Sequence, residues 1–269
     1  MNSPSISSLN RRQLLRNGGL VLSLGAIVAA CGDRGGSDAP GLLGNAAPLP
    51  TLPEATINDV VRLRTLQSLE YTVLEVYSAV GQTGVLTPVE TALAERLVSD
   101  HTGHAALLGT LIAEADGAEF TCANPFLMDR AVKPILAALK DSDDARRDVL
   151  NISHAFESLA GATYQALVAT LTDKSLRRET MRIGAEEHRH AAALAAAINP
   201  KALLSPIFFG EPVEKDADGF HTPYAIPSTF GRLTGIDLVV GRLNEAGARF
   251  GTQLQTPADN TFVYDYQSC

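Results

Sequence analysis

The feature that most constrains the fold of this 269-residue chain is a set of four long segments in which apolar residues recur at every third or fourth position. The segments cover approximately 56–80, 88–115, 145–171 and 174–199, and this period predicts helices that each bury one face. Short connections join the first segment to the second and the third to the fourth, whereas the connection 116–142 is long. We therefore predict an all-α core, a four-helix bundle of two antiparallel pairs with a long crossover between helices two and three.

Local signals mark where these helices begin and end. Thr87 and Glu90 stand at the N-cap and N3 positions of a capping box, with a proline at the first helical position between them. Ser142 and the two aspartates that follow it suit the start of the third helix, and Pro200 cannot continue the fourth. Within the crossover we predict a short helix over 129–140 that bends or breaks at its proline.

Each predicted helix carries side chains that bind metal ions, and these lie at similar depths in the bundle. Side chains three residues apart on a helix project from the same face about one turn apart, so a pair of them can reach one ion. The fourth helix has a Glu-x-x-His pair, the second has His-x-x-His, and the first and third contribute one glutamate each. Each set lies on the order of 20 Å from the loop of its helix pair, so all four can share one layer. The predicted metal ligands are Glu70, His101, His104, Glu157, Glu187 and His190.

The order of these residues resembles that of a known family. The segment 69–77 is similar to the first helix of bacterial ferritin-like domain proteins, including relatives of desiccation-associated proteins. Glu157 with Tyr164 seven residues later resembles their third helix, and Glu187 with His190 resembles their fourth. The resemblance covers the whole predicted bundle. It implies a ferritin-like fold, a dinuclear iron or manganese centre bridged by glutamates from helices two and four, and an activity such as Fe(II) oxidation or reaction with oxygen or peroxide.

The second helix departs from the family pattern, because His101 stands where the family has a bridging glutamate. An imidazole cannot bridge two ions at the spacing of a carboxylate-bridged pair, so His101 is expected to bind one ion terminally and to leave a more cationic or mononuclear site. Glu95 and Asp100 are nearby carboxylates, but each points about 100° or more from the required face. This substitution keeps a second class of function open, a non-catalytic structural or partner-binding bundle with a degenerate or single-ion site.

Other polar residues near these positions are expected to lie outside the ligand set. We predict that His154 and His188 are outer contacts or surface groups, and that Glu75 and Glu186 are solvated. Tyr164 and the other tyrosines are expected to be core aromatics. Histidine and carboxylate ligands without a ligating cysteine favour iron, manganese or zinc over a soft metal.

The N-terminus is predicted to be an export signal, residues 1–31, and not part of the fold. The segment 11–16, RRQLLR, resembles a twin-arginine signature, and an apolar run over 20–30 follows it. The run ends in Val-Ala-Ala-Cys, which resembles the lipobox of bacterial lipoproteins with Cys31 as the lipidated residue. The expected result is a protein attached to the membrane through lipid on Cys31, on the extracytoplasmic side, with residues 32–55 as a flexible tether. The alternative is a short hydrophobic anchor that stays uncut.

The last part of the chain, residues 200–269, is predicted to be a small extension packed on the bundle. Segments 233–240 and 249–256 indicate a β-hairpin, and 261–266 is a candidate third strand. If Cys31 carries lipid, Cys122 and Cys269 remain as a pair outside the reducing cytosol, and a disulfide between them would tie the C-terminus to the crossover.

The charge balance excludes one class of partner. The formal net charge is −8, with 22 basic and 30 acidic residues. Binding to nucleic acid requires a basic surface that neutralises phosphates, so we expect no nucleic-acid partner.

Overall fold

The computed structural model describes residues 56–198, 236–255 and 261–269. Four long helices form the core: α1 (Asp59–Gly81), α2 (Pro88–Glu114), α5 (Ala145–Val168) and α6 (Lys174–Ile198). Helix α1 packs against α2, and α5 packs against α6, so the two antiparallel pairs expected from the loop lengths are present. The predicted all-α core, a four-helix bundle with a long crossover between helices two and three, is confirmed.

Side-chain caps start the long helices where the sequence signals indicate. Thr87 and Glu90 form the complete capping box of α2, in which the backbone N–H of Thr87 donates to Glu90 Oε2 at 2.8 Å. The α1 N-cap is Asn58, whose side chain accepts from the backbone N–H of Val61 at 2.9 Å. Such caps satisfy backbone donors that have no partner within the helix. Arg146 at the start of α5 also donates to Glu90, which ties the beginnings of α2 and α5 together.

The crossover contains two short helices separated by a wider turn. Helix α3 (Pro125–Leu127) leads into a π-helical segment (Met128–Val132), and α4 (Lys133–Lys140) follows. Pro134 has no N–H to donate to the carbonyl four residues earlier, and the π-helical turn lies immediately before it. The bend expected at this proline is therefore a widened turn just N-terminal to it.

Two apolar clusters fill the bundle, one toward each end. The cluster near the α1–α2 loop includes Val73, Val76 and Phe156, and the side chains of the β-hairpin join it. The cluster at the opposite end includes Leu63, Leu108 and further residues of all four helices. The predicted metal ligands lie between the two clusters along the helices, so the core is an apolar–polar–apolar sandwich.

The C-terminal extension contains the expected β-hairpin. Strands β1 (Ile236–Val240) and β2 (Phe250–Leu254) are antiparallel, with Val240 opposite Phe250 and Ile236 opposite Leu254. Gly241 has a positive φ of 88°, a conformation that favours glycine, and its N–H donates to the buried Asp148 Oδ2 at 2.7 Å. This contact fixes the hairpin on α5.

The candidate third strand is wrong, because residues 261–266 form turns and irregular backbone in the structure. The backbone N–H of Val263 donates to the side chain of Thr65 on α1 at 2.9 Å, where a strand would donate to a neighbouring strand. Arg64 donates to the carbonyls of Tyr264 and Gln267. The tail is therefore held by polar side chains of a helix.

A disulfide joins Cys122 in the crossover to Cys269 at the C-terminus, with 5.8 Å between the two Cα atoms. Asn124 continues the connection between the same two segments, because its side-chain amide donates to the carbonyl of Thr261 at 2.8 Å. Covalent and hydrogen-bonded links thus join the crossover, the tail and α1.

The predicted export signal, the tether, residue 199 at the end of the predicted bundle, and residues 200–235 and 256–260 of the predicted extension lie outside the described residues. None of the helices in the described part of the chain combines the length and the hydropathy needed to cross a membrane.

We expect the double variant Cys122→Ser, Cys269→Ser to lower the free energy of unfolding by about 2–4 kcal/mol, because the disulfide closes a long loop and restricts the unfolded chain. Chemical denaturation under non-reducing conditions measures the change. The matched control is the unmodified chain after reduction, which should unfold like the variant. An unchanged denaturation midpoint in both samples would contradict a stabilising role.

Candidate metal centre

All six predicted ligands are buried and converge in one layer of the bundle. Helix α1 supplies one glutamate, α2 two histidines, α5 one glutamate, and α6 a glutamate and a histidine. Their side-chain donor atoms fall into two overlapping groups, and within each group the atoms lie within 4.8 Å of one another. The first group is Glu70, His101, His104 and Glu187, and the second is His101, Glu157, Glu187 and His190.

The first group, called half-site A below, is centred between α1, α2 and α6. His101 Nδ1 lies 2.7 Å from Glu70 Oε2. His104 Nδ1 lies 2.7 Å from Glu187 Oε1 and 3.7 Å from Glu70 Oε2. Two imidazole nitrogens and two carboxylates therefore surround one position, a donor set that binds divalent transition metals.

The second group, half-site B, has the same composition. His101 Nε2 lies 3.0 Å from Glu157 Oε1. His190 Nδ1 lies 3.2 Å from Glu157 Oε2 and 3.4 Å from Glu187 Oε2. His101 and Glu187 are members of both half-sites, so these two residues lie between the half-sites and are shared by them.

Two tyrosines donate hydrogen bonds to the glutamates that belong to only one half-site. The hydroxyl of Tyr164 donates to Glu70 Oε1, and the hydroxyl of Tyr77 donates to Glu157 Oε1 at 2.5 Å. Burial raises the pKa of both phenols well above the usual value, and the adjacent carboxylate raises each further. The tyrosines were expected only as core aromatics. They remain protonated and hold these carboxylates in place.

Two further carboxylates contact the outward nitrogens of His104 and His190. Glu186 Oε2 lies 2.9 Å from His104 Nε2, although the sequence suggested that Glu186 was solvated. Asp100 Oδ2 lies 3.4 Å from His190 Nε2 and accepts from Arg96 at 2.8 Å. Metal-binding histidines commonly donate their second N–H to a carboxylate, which fixes the tautomer and the ring orientation.

A helix-by-helix search for inward residues misses these outer carboxylates, because each precedes a predicted ligand by one residue and is therefore rotated by about 100° around the helix. The histidine ligands are the sequence signal that could have indicated these carboxylates, because each imidazole has a second nitrogen that needs a partner. If Nδ1 faces the site, Nε2 faces the boundary between helices α2 and α6, and a carboxylate at that boundary can accept from it.

The remaining histidines do not belong to the two donor groups found among the described residues. His154 is buried on α5. His188 is half-buried, its pKa is lowered by burial, and its ring packs over Gly161 so closely that a Cβ there would come within 2.7 Å of it. Gly184 allows a similar approach, since a Cβ would lie 2.7 Å from Tyr164 Cβ. The two glycines let α5 and α6 come close at the level of the site.

Without metal, the layer is held by opposite charges. Burial acts to raise the pKa of Glu70, but His101 and His104 outweigh it and lower that pKa to about 2. Burial acts to lower the pKa of His104, but Glu187 and Glu70 raise it to about 10, and the carboxylates beside His190 raise its pKa to about 9. Glu187 differs, because burial and the nearby Glu70 raise its pKa to about 6.

Several polar atoms at the centre of the layer lack a hydrogen-bond partner in the protein and are placed where a metal ion could bind them. Both carboxylate oxygens of Glu187 and the Nδ1 atom of His104 are buried and make no hydrogen bond of normal geometry. His104 Nδ1 is close to Glu187 Oε1, but it is not aligned as a donor. Buried polar atoms without a partner are costly, and a cation between them would satisfy all three.

We expect the metal-free chain to lose stability as the pH rises from about 6.5 to 10. The pKa of His104 rises from 6.5 to about 10 on folding and that of His190 to about 9, so their stabilising charge is fully present below 6.5 and is lost as the pH passes these folded values. The lowered pKa of Glu70 gives the opposite loss as the pH falls from 4.5 toward 2. Thermal unfolding of chelator-treated protein across this pH range measures both.

The comparison variant is His104→Gln, which should flatten the decline above pH 6.5 and also reduce the loss below pH 4.5, because His104 is one of the two groups that lower the pKa of Glu70. A metal-free chain as stable at pH 10 as at pH 6 would contradict this account.

Comparison with known proteins gives one family. The model of the family described as Ferritin-like domain matches residues 58–200. No curated protein and no solved structure matches the chain.

Proposed function

Because the chain belongs to the ferritin-like domain family, we propose that it is a metalloprotein that binds two iron or manganese ions in the layer between its apolar clusters. Its proposed chemistry is the oxidation of Fe(II), or the reduction of oxygen or peroxide, at that layer. The observation that carries the proposal is the pair of half-sites, each with two imidazoles and two carboxylates of buried residues. Such mixed oxygen and nitrogen donors suit iron and manganese.

The metal would supply one-electron transfer and a coordination position for the oxidant. The chain's own residues determine where this can occur. The six ligands hold the position, while Tyr77 and Tyr164 orient two of the carboxylates from outside. The apolar clusters exclude water from above and below. Because these contacts come from all four helices, the site requires the whole bundle.

Access to the site is expected between helices α2 and α6. The side chains of His104 and His190 are 8% and 9% exposed, whereas Glu70, His101, Glu157 and Glu187 are fully buried. Outside the two histidines, Glu186 is 41% exposed and Asp100 is 19% exposed. These carboxylates would attract a cation to the opening that His104 and His190 border.

Metal analysis of the purified full chain tests the proposal. Two equivalents of iron or manganese are expected after growth in supplemented medium, and Fe(II) added to metal-free protein should be oxidised faster than in buffer. Glu70→Gln should lower metal affinity by at least the about 10–100-fold that is typical when an outer partner of a ligand is lost, because Glu70 is itself a proposed ligand. The matched control is Glu75→Gln, on the same helix but exposed to solvent, which should bind and oxidise like the parent. A chain that takes up no metal refutes the proposal.

The second candidate, a non-catalytic bundle with one structural ion, is favoured by a specific observation. His101 donates from its two ring nitrogens to the carboxylates of Glu70 and Glu157, and these ion-paired hydrogen bonds can stabilise the bundle without a second ion. One equivalent of metal, bound without any acceleration of Fe(II) oxidation, would select this function.

We propose also that the chain is exported and attached to the membrane through lipid on Cys31, a residue outside the described part of the chain. The lipobox-like sequence and the preceding arginine pair support this proposal. The variant Cys31→Ser should move the protein from the membrane fraction to the soluble extracytoplasmic fraction of expressing cells, with Cys122→Ser as a matched cysteine control that stays in the membrane. Equal distribution of the Cys31 variant and its parent would refute the lipid anchor.

A further inference from the structure

His101 lies between the two half-sites and presents one ring nitrogen to each. Its Nδ1 atom is 2.7 Å from Glu70 in half-site A, and its Nε2 atom is 3.0 Å from Glu157 in half-site B. From this geometry we infer that His101 is a bridging ligand, which binds one metal ion through each ring nitrogen. The inference rests on the proposed metal function and specifies how the two ions are connected.

The donor atoms divide evenly between the half-sites when His101 is assigned this role. Half-site A receives Glu70, Nδ1 of His104, Oε1 of Glu187 and Nδ1 of His101. Half-site B receives Glu157, Nδ1 of His190, Oε2 of Glu187 and Nε2 of His101. Each ion would then have two nitrogen and two oxygen ligands. If His101 bound only one ion, the other half-site would keep three protein ligands.

Both ring nitrogens of His101 donate an electron pair to a metal ion in this arrangement. Each nitrogen therefore loses its proton to solvent as an ion binds to it, and the bridging ring is an imidazolate.

The position of His101 is fixed from several sides. Its side chain has no exposed surface, and the rings of Tyr77, His104 and His190 surround it at centroid distances of 5.5–5.9 Å. The ring therefore has little room to turn one nitrogen away from its half-site. A bridge through a fixed ring also sets the distance between the two ions.

That distance distinguishes the bridge from a carboxylate-bridged pair. Metal–nitrogen bonds of about 2 Å on opposite sides of one imidazole place the ions on the order of 6 Å apart. Two-metal sites with close bridges have separations of about 3.5–4 Å. A carboxylate such as Glu187 can span the longer distance with one oxygen on each ion.

The experiment is anomalous X-ray diffraction from crystals of the full chain loaded with Mn²⁺, combined with metal analysis in solution. Two ions on the order of 6 Å apart, with His101 between them, are expected. In His101→Glu the separation should shorten to about 3.5–4 Å, and in His101→Gln binding should fall from two equivalents to one or none. His188→Gln, a half-buried histidine outside the donor groups, is the matched control and should keep two ions at the parent distance.

The outcomes separate this inference from the proposed function. A chain that binds neither iron nor Mn²⁺ refutes both. Two ions at 3.5–4 Å in the parent, or one ion bound by His101 through a single nitrogen, refutes the bridge and leaves a metalloprotein. Two ions retained at an unchanged distance in His101→Gln also refutes it. Since the parent chain alone gives the ion separation, the test does not depend on the folding of any variant.

A spectroscopic measurement in solution checks the same geometry without crystals. Chelator-treated protein is loaded with Cu²⁺ as a probe ion, and electron paramagnetic resonance detects magnetic coupling between two ions. A coupled signal is expected in the parent and in His188→Gln, and its loss is expected in His101→Gln. Two bound Cu²⁺ ions that give only uncoupled signals would overturn the bridge.

Discussion

The electrostatic balance of one buried layer is the constraint on which the rest of this structure depends. Three glutamates and three histidines lie between two apolar clusters, where an unpaired charge would be costly. The layer is satisfied either by imidazolium–carboxylate pairs or by metal ions in their place. Both solutions need the same six side chains in the same positions. The fold and the proposed chemistry therefore require the same arrangement of the four helices. The candidate site is for this reason part of the core of the bundle.

Much of the bundle and the convergence of the six residues could be predicted because both depend on spacing along helices. A period of three to four residues gives the buried face, caps give the ends, and equal distance from the loops gives a common depth. The rotation of each helix about its axis is not encoded in spacing. The partners at helix boundaries depend on that rotation, and for this reason Glu186 and Asp100 were placed outside the site and the hydroxyl contacts of Tyr77 and Tyr164 were missed.

In the C-terminal extension, too, the locally determined structure could be predicted from the sequence and the structure set by distant contacts could not. The hairpin is local, since alternating residues and a turn specify β1 and β2, and the expected segments contain both strands. The conformation of residues 261–269 is set by distant side chains, chiefly Thr65 and Arg64 on α1. Strand-like composition near Val263 therefore suggested a strand, but the available partner was a helix with polar groups on its outer face. A tertiary contact overrode the local preference.

The contacts that the tail and the crossover make with α1 have a consequence for Glu70 on the same helix. Thr65 and Arg64 are held by the tail, Gln67 accepts from the backbone N–H of Phe120 at 2.8 Å, and Glu70 points into the buried layer of predicted metal ligands. A shift of α1 by one residue turns it by about 100° and would break both sets of contacts together. The tail and the crossover thus fix the rotation of α1 about its own axis. By holding Thr65, Arg64 and Gln67, they determine the direction in which Glu70 points.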